Sequence, residues 1–253
     1  MNTTEQNPRT YGDLVTIVVD EQNDFFPGGA LGVTDGDKVV DPTNALTEFT
    51  HDNGGMVVFT RDKHPQETKH FAVNNGGEGW PVHCVQFDGM DQRAQGTEGA
   101  ALHQDLVVRN FDAVASKGTS LEDDGYSGME AVIEQGQSVL GTLVHDLPAA
   151  EQTVERAVTR MVDVNRELGA RTLILVCGLA TDYCVKATVL DALHATDRTW
   201  ADVVVTEDAI RAVNLAYEDG AKAMAEMKAD GALFAQSFDV IEGGILINRR
   251  GEQ

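Results

Sequence analysis

Basic residues are scarce in this chain: 19 lysines and arginines stand against 41 aspartates and glutamates, a formal net charge of −22 at pH 7. So large an acidic excess disfavours nucleic acid and anionic membrane surfaces as partners. The acids are spread along the chain and form no tail, which is the pattern of a solvated surface. Cysteine is scarcer still. Cys84, Cys177 and Cys184 make an odd count, which excludes a fully paired disulfide framework and fits a reducing compartment. No apolar run reaches the roughly 18 residues that a membrane-spanning helix needs. Met1 to Tyr11 is polar and lacks the apolar stretch of a secretory leader, so a cytoplasmic location is expected. Internal repeats and low-complexity linkers are missing too. A chain of 253 residues without them is expected to form one domain over 1–253.

What is present is an alternation of apolar, β-branched runs with helix-like segments. Leu14 to Val19, Met56 to Thr60, Ala113 to Ser116, Thr172 to Val176, Val203 to Thr206 and Ala232 to Gln236 read as strands. Asp41 to His51, Ala149 to Leu168, Val185 to Ala195 and Leu215 to Ala229 read as helices. Buried runs alternating with helices predict an α/β fold: three layers, αβα, around a central, mostly parallel sheet of about five or six strands. Two long intervals, near 74–110 and 118–147, interrupt the alternation. Each can serve as a lid, an oligomer contact or plain surface, and surface is the first expectation.

Ligands in such folds bind beyond the carboxyl ends of the strands, so residues just past strand ends can share a crevice while far apart in sequence. Asp20, Asp62, Lys117 and Cys184 all occupy such positions. Cys184 falls in the first turn after a strand, where unpaired N–H groups and the helix dipole favour a thiolate, and is a candidate nucleophile. Asp20, at the tip of a buried strand, suits proton transfer; a turn or helix-capping role is the alternative. Lys117 adjoins Gly118 after a buried strand. Its fixed charge can hold a thiolate and a carboxylate, although a lysine is more commonly solvent-facing. Asp62, His64, His70 and His83 gather one carboxylate and three imidazoles into a short stretch. That donor set suits a divalent transition metal, zinc, iron or manganese, with water completing the shell. Cys84 is a fifth ligand or, more in keeping with its type, a buried thiol beside the site.

These segments together resemble the isochorismatase-like cysteine hydrolases and, within them, the nicotinamidases. The matching residues are Val19-Asp20-Glu21-Gln22-Asn23-Asp24-Phe25, Asp62 with His64, His70, Trp80-Pro81 with His83, Ser116-Lys117-Gly118, and Gly178-Leu179-Ala180-Thr181-Asp182-Tyr183-Cys184. They run in the family's order over most of the chain. The resemblance implies that Asp20 is the general base, Lys117 the orienting cation and Cys184 the nucleophile. It implies a cis peptide at Leu179–Ala180 and an oxyanion hole from the Ala180 and Cys184 N–H groups. Phe25, Trp80, Tyr126 and Leu179 become substrate-binding positions, and Asp62, His64, His70 and His83 the metal ligands. The implied reaction is hydrolysis of nicotinamide to nicotinate and ammonia in pyridine nucleotide salvage, with pyrazinamide a further substrate. The alternative is a related amidohydrolase acting on a carbamoyl or ureido amide. A non-catalytic scaffold would show erosion of the trio or of the metal set, and neither is eroded. Two departures stand out: Glu21 replaces a commonly apolar residue, and Tyr183 stands where histidine is frequent.

Overall fold

The apolar runs Leu14 to Val19, broken only by Thr16, and Leu173 to Cys177 become two adjacent strands at the centre of the sheet. The computed structural model describes residues 10–86, 98–134, 138–242 and 246–247. Its strands are β1 (Thr10–Val19), β2 (Met56–Asp62), β3 (Ala113–Lys117), β4 (Val132–Ile133), β5 (Arg171–Leu179), β6 (Ala201–Arg211), β7 (Leu233–Ala235) and β8 (Leu246–Ile247). They form one sheet in the order β4-β3-β2-β1-β5-β6-β7, with β8 pairing to the start of β1. All pairings are parallel except that of β4 with β3. The sheet is thus mostly parallel as expected, and larger than expected by the two-residue strands β4 and β8, which are too short to leave a periodic signal.

The helices are α1 (Val40–Asp52), α2 (Val139–Thr142), α3 (Val154–Glu167), α4 (Lys186–Ala195), α5 (Asp219–Asp230) and α6 (Ser237–Glu242). Strand side chains alternate between two faces, and β1 shows how this builds three layers. Val15, Ile17 and Val19 join one buried cluster with Val158 and Met161 of α3 and Val189 of α4. Leu14 and Val18 join the other, with Val40 and Leu46 of α1 and Val240 of α6. In α3 the buried residues Val154, Ala157, Val158, Met161 and Val162 form the expected stripe at helical spacing. That helix is shorter than its predicted span. Thr153 is extended and its side chain accepts from the Arg156 N–H, so the helix starts there, and residues 149–151 form a separate single turn.

Chain order fixes where a site can form. From β1 the chain steps outward through β2 and β3, then returns to the other side of β1 as β5. The direction of winding reverses between β1 and β5, so a crevice opens beyond their carboxyl ends. Gly178 makes the close approach there: with φ of +110°, a Cβ at this position would sit 2.1 Å from the Val19 carbonyl oxygen. The intervals between elements are not plain surface. Met129 and Ala131 are fully buried, and Ala100 is 1% exposed, so segments of both pack into the body of the protein. Residues 87–97 of the first interval lie outside the described residues.

Candidate active site

Asp20 directly follows β1 and takes a left-handed backbone conformation, φ +49°. Its N–H donates to the Thr60 carbonyl at 3.2 Å, and its Oδ1 accepts from Thr60 Oγ1 at 2.7 Å. The neighbouring strand β2 thereby aims the carboxylate. Lys117, the last residue of β3, reaches across, with Nζ 2.7 Å from Asp20 Oδ2 and 3.5 Å from Cys184 Sγ. The same ammonium donates to the Gly125 carbonyl at 2.6 Å and to Asp62 Oδ1. Donor atoms of Asp20, Asp62 and Cys184 all lie within 4.8 Å of one another, and all three residues are buried. The three strand-end residues expected to act together do meet.

Burial pushes the Asp20 carboxyl up, against the pull of Lys117, to a pKa of about 6. Burial acts the same way on Asp62, but there Lys117, His64 and His83 win and hold it well below the usual carboxylate range. For Lys117, burial disfavours the charge, yet Asp20 and Asp62 more than offset it and raise the ammonium well above its ordinary value. Cys184 corrects an expectation. It sits in a turn of π-helical form, Thr181–Val185, at the entry to α4, yet its thiol is raised well above the ordinary range. Burial is the main cause, and Asp20 and Asp62 add to it while Lys117 opposes them. The helix start does not outweigh burial at this thiol, and the nearest carboxylates to it are those of Asp20 and Asp62.

The imidazoles sit on loops. His64 follows β2, and its Nδ1 donates to the Gly118 carbonyl at 3.0 Å. Gly118 has φ of +63°, and a Cβ there would come within 2.4 Å of the His64 ring. His83 Nδ1 donates to the Pro81 carbonyl at 2.8 Å, and His70 Nδ1 to Asp124 Oδ1 at 2.9 Å. With each Nδ1 committed to an acceptor, each Nε2 keeps a lone pair. One nitrogen from each ring falls within 4.8 Å of the others. His64 Nε2 is buried and has no hydrogen-bond partner. Asp62 Oδ2 stands 3.6 Å from His64 Nε2 and 3.9 Å from His83 Nε2. Burial lowers His70 and brings His83 down to about 4, so both rings are neutral and able to ligate near neutral pH. Three imidazole nitrogens, one of them buried and unpartnered, with one carboxylate oxygen beside them, fit a divalent transition metal.

Cys184, His70 and His83 open into one cavity of about 270 Å³, with His64 buried behind it. That lies just below the range of ligand sites for drug-sized molecules, roughly 300 to 1,000 Å³, and suits a smaller ligand. Phe25, Trp80, Tyr126, Ala180 and Cys184 line it with Asp62, His70 and His83. Trp80 Nε1 donates to the Tyr126 hydroxyl at 3.0 Å, and the Tyr183 ring packs edge-on to Trp80 at 4.9 Å. The Leu179–Ala180 peptide is cis, as the resemblance implied. Leu179 is different: its side chain is fully buried in the α1 layer and does not line the cavity. Strand alternation explains this, because Leu179 ends β5 on the face opposite Val176. Cys84 is a buried thiol with Sγ 3.9 Å from the Gly99 carbonyl, outside the imidazole cluster.

Two supporting residues escaped the sequence reading. Gln22 is fully buried; its Oε1 accepts from the Asp62 N–H at 2.7 Å and its Nε2 donates to the Asp62 carbonyl at 2.8 Å. A buried amide two residues after a strand-end acid was the available signal. Asp124 lines the cavity and orients His70, but it lies in an interval that offers no periodicity.

An isochorismatase-domain profile matches residues 15–122 and 151–237 of the chain. The chain is 37% identical over 222 residues to the nicotinamidase of Escherichia coli K12, spanning 85% of this chain and 91% of that protein. The solved pyrazinamidase of Pyrococcus horikoshii in complex with zinc is similar at a TM-score of 0.59 and 32% identity, covering 88% of this chain and 99% of that one. PnC1 from L. infantum, solved in complex with nicotinate, is similar at a TM-score of 0.62 and 28% identity, covering 91% and 96%.

Proposed function

The chain belongs to the isochorismatase family, and we propose that within it the protein is a metal-dependent nicotinamidase, hydrolysing nicotinamide to nicotinate and ammonia through a thioester on Cys184. The observation that carries this reading is the double duty of Asp62. One of its oxygens accepts from Lys117, the cation beside the nucleophile, and the other faces His64 and His83. The nucleophile and the metal set are thereby two sides of one pocket, and relatives similar over most of their length act on nicotinamide or pyrazinamide.

Asp20 removes the proton from Cys184 Sγ, and the Lys117 ammonium stabilises the thiolate as it forms. Sulfur attacks the carboxamide carbon. The backbone N–H groups of Ala180 and Cys184 hold the oxyanion. Protonated Asp20 then donates its proton to the departing ammonia, leaving the thioester. Water attacks the thioester, Asp20 accepts the water's proton, and Cys184 leaves as the thiol when that proton returns to sulfur. Phe25, Trp80 and Tyr126 confine the flat ring. A divalent ion held by Asp62, His64, His70 and His83 would supply Lewis acidity toward the ring nitrogen, which orients the substrate. The same pocket admits pyrazinamide.

Ammonia release from nicotinamide by the purified protein tests the reading. We expect turnover by the native protein and none by Cys184→Ala; a fully active Cys184→Ala enzyme would overturn it. Benzamide lacks the ring nitrogen and is expected to react poorly. Equal rates on benzamide and nicotinamide would remove the metal's orienting role.

A further inference from the structure

Asp182, two residues before the nucleophile, is buried, and its carboxylate does not face the reacting groups. Instead it reaches the loop after β6, where Oδ1 accepts from the Val213 N–H at 2.9 Å and Oδ2 from the Asn214 N–H at 2.8 Å. That loop carries two cavity-lining residues, Val213 and Leu215. Leu215 is 68% exposed, so it belongs to the mouth. The other end of the loop is tied to α5: Asn214 Oδ1 accepts from the Gly220 N–H at 2.8 Å, and the Ala216 N–H donates to Asp219 Oδ2 at 2.7 Å. Asn214 itself takes a left-handed conformation, φ +53°, which asparagine tolerates better than most residues. A single carboxylate with both oxygens on consecutive N–H groups is a charge-assisted clamp, stronger than neutral pairs and specific in geometry.

We propose that Asp182 is the positioning residue that sets the width of the substrate cavity, by clamping the wall made by Val213 and Leu215 to the turn that carries Cys184. The inference rests on reading this cavity as the amide pocket. Its consequence is selectivity by ring size. With the wall tied to the turn that carries the sulfur, a single six-membered heteroaromatic ring is expected to be preferred over a fused bicyclic one. Asparagine offers only one acceptor oxygen and turns an NH₂ group toward the second N–H, so Asp182→Asn retains part of the clamp. Alanine retains none.

The test compares nicotinamide with quinoline-3-carboxamide, a fused analogue, in steady-state ammonia release, together with amide hydrogen exchange across residues 212–216. In Asp182→Ala we expect KM for nicotinamide to rise about tenfold while kcat changes less than about threefold, with the preference for nicotinamide over the bicyclic amide reduced about fivefold or more. Exchange protection at 213 and 214 should be lost, and Asp182→Asn should lie between. Leu215→Ala, a change at an exposed position with little risk to folding, should relax selectivity in the same direction. A fall in kcat with KM, selectivity and exchange unchanged would overturn the proposal, because Asp182 would then be acting on the Cys184 turn alone. Failure of the native protein to release ammonia from nicotinamide would overturn the nicotinamidase reading, and the exchange measurement would still decide whether the clamp exists.

Discussion

The two sides of the cavity are built in opposite ways. Asp20 and Lys117 stand at the ends of β1 and β3, and Cys184 stands five residues past the end of β5. All three are buried, with Lys117 ion-paired to Asp20 and its Nζ 3.5 Å from the Cys184 sulfur. His64, His70 and His83 hang on connections and are aimed by acceptors outside the sheet: the carbonyls of Gly118 and Pro81, and the Asp124 carboxylate. Strand ends give precision to groups that, in the proposed mechanism, exchange a proton over a short path. Loop-borne imidazoles get theirs by holding Nδ1, which leaves Nε2 free to ligate. Asp62, the last residue of β2, belongs to both sides, and Gln22 clamps its backbone in place.

The largest effects should follow from breaking the strand-end side. Asp20→Asn or Lys117→Met is expected to lower kcat by at least about a thousandfold, since residues acting as a unit fail together. Lys117→Met also leaves two buried carboxylates facing each other without their cation, an uncompensated charge that costs about 3–5 kcal/mol. Denaturant unfolding should therefore separate it from Asp20→Asn, which removes one of the two charges.

The loop side should fail more gently. Asp124→Ala is expected to weaken metal affinity about 10- to 100-fold, by freeing the His70 ring to turn. The rate of Cys184 alkylation should stay near its native value. Competition with a chelator reads the first and iodoacetamide trapping the second. A parallel loss of both would mean that the two sides are not separable. Chelator treatment of the native protein should likewise raise KM for nicotinamide, with recovery on adding back the metal.

The pH profile sharpens the comparison further. In the proposed mechanism Asp20 is the base and must be ionised, and burial, opposed by Lys117, places its pKa at about 6. We expect kcat/KM to fall as pH drops through about 6, with unit slope. An acidic limb at the ordinary aspartate value near 4 would mean that Asp20 is solvated in the working enzyme.

The smallest effect concerns Glu21, which follows Asp20 and is buried. Thr43 donates to its Oε1 at 2.6 Å and its Oε2 has no hydrogen-bond partner, while burial raises its pKa from 4.5 to about 8. A folded-state pKa above the unfolded one gives stability that is complete below about 4.5 and lost as pH rises through about 8. Glu21→Gln should flatten this decline, raising unfolding free energy at pH 8 relative to native with kcat nearly unchanged. An identical pH slope in the two proteins would show that Glu21 ionises freely.

Glu21 shows what a sequence reader can and cannot see. Its departure from an apolar residue was visible, but its meaning, a neutral acid inside the core, required the packing of α1 against β1. Tyr183 is similar: the substitution could be read, yet only the fold shows its ring edge-on to Trp80 at the cavity wall. The strand-end trio was legible because buried apolar runs mark their own ends and parallel sheets collect those ends in one crevice. The imidazoles were legible from their donor chemistry and short spacing. Leu179 was misassigned because a match of motifs carries no information on which face of β5 a side chain leaves. Asp124 and the loop at 213–215 were missed because their contacts are long-range and leave no local pattern.

The sequence by itself determined the layered α/β architecture, and it named the candidate nucleophile, base and cation and a candidate donor set for a metal. Periodicity and side-chain chemistry are local properties, and those features depend on little else. Only the tertiary structure decided that Cys184 rests as a thiol, that Asp62 joins the two sides of the cavity, and that Asp182 holds its far wall. Burial and charge at a point are sums over neighbours that the chain brings together from distant positions, and no window of sequence contains them.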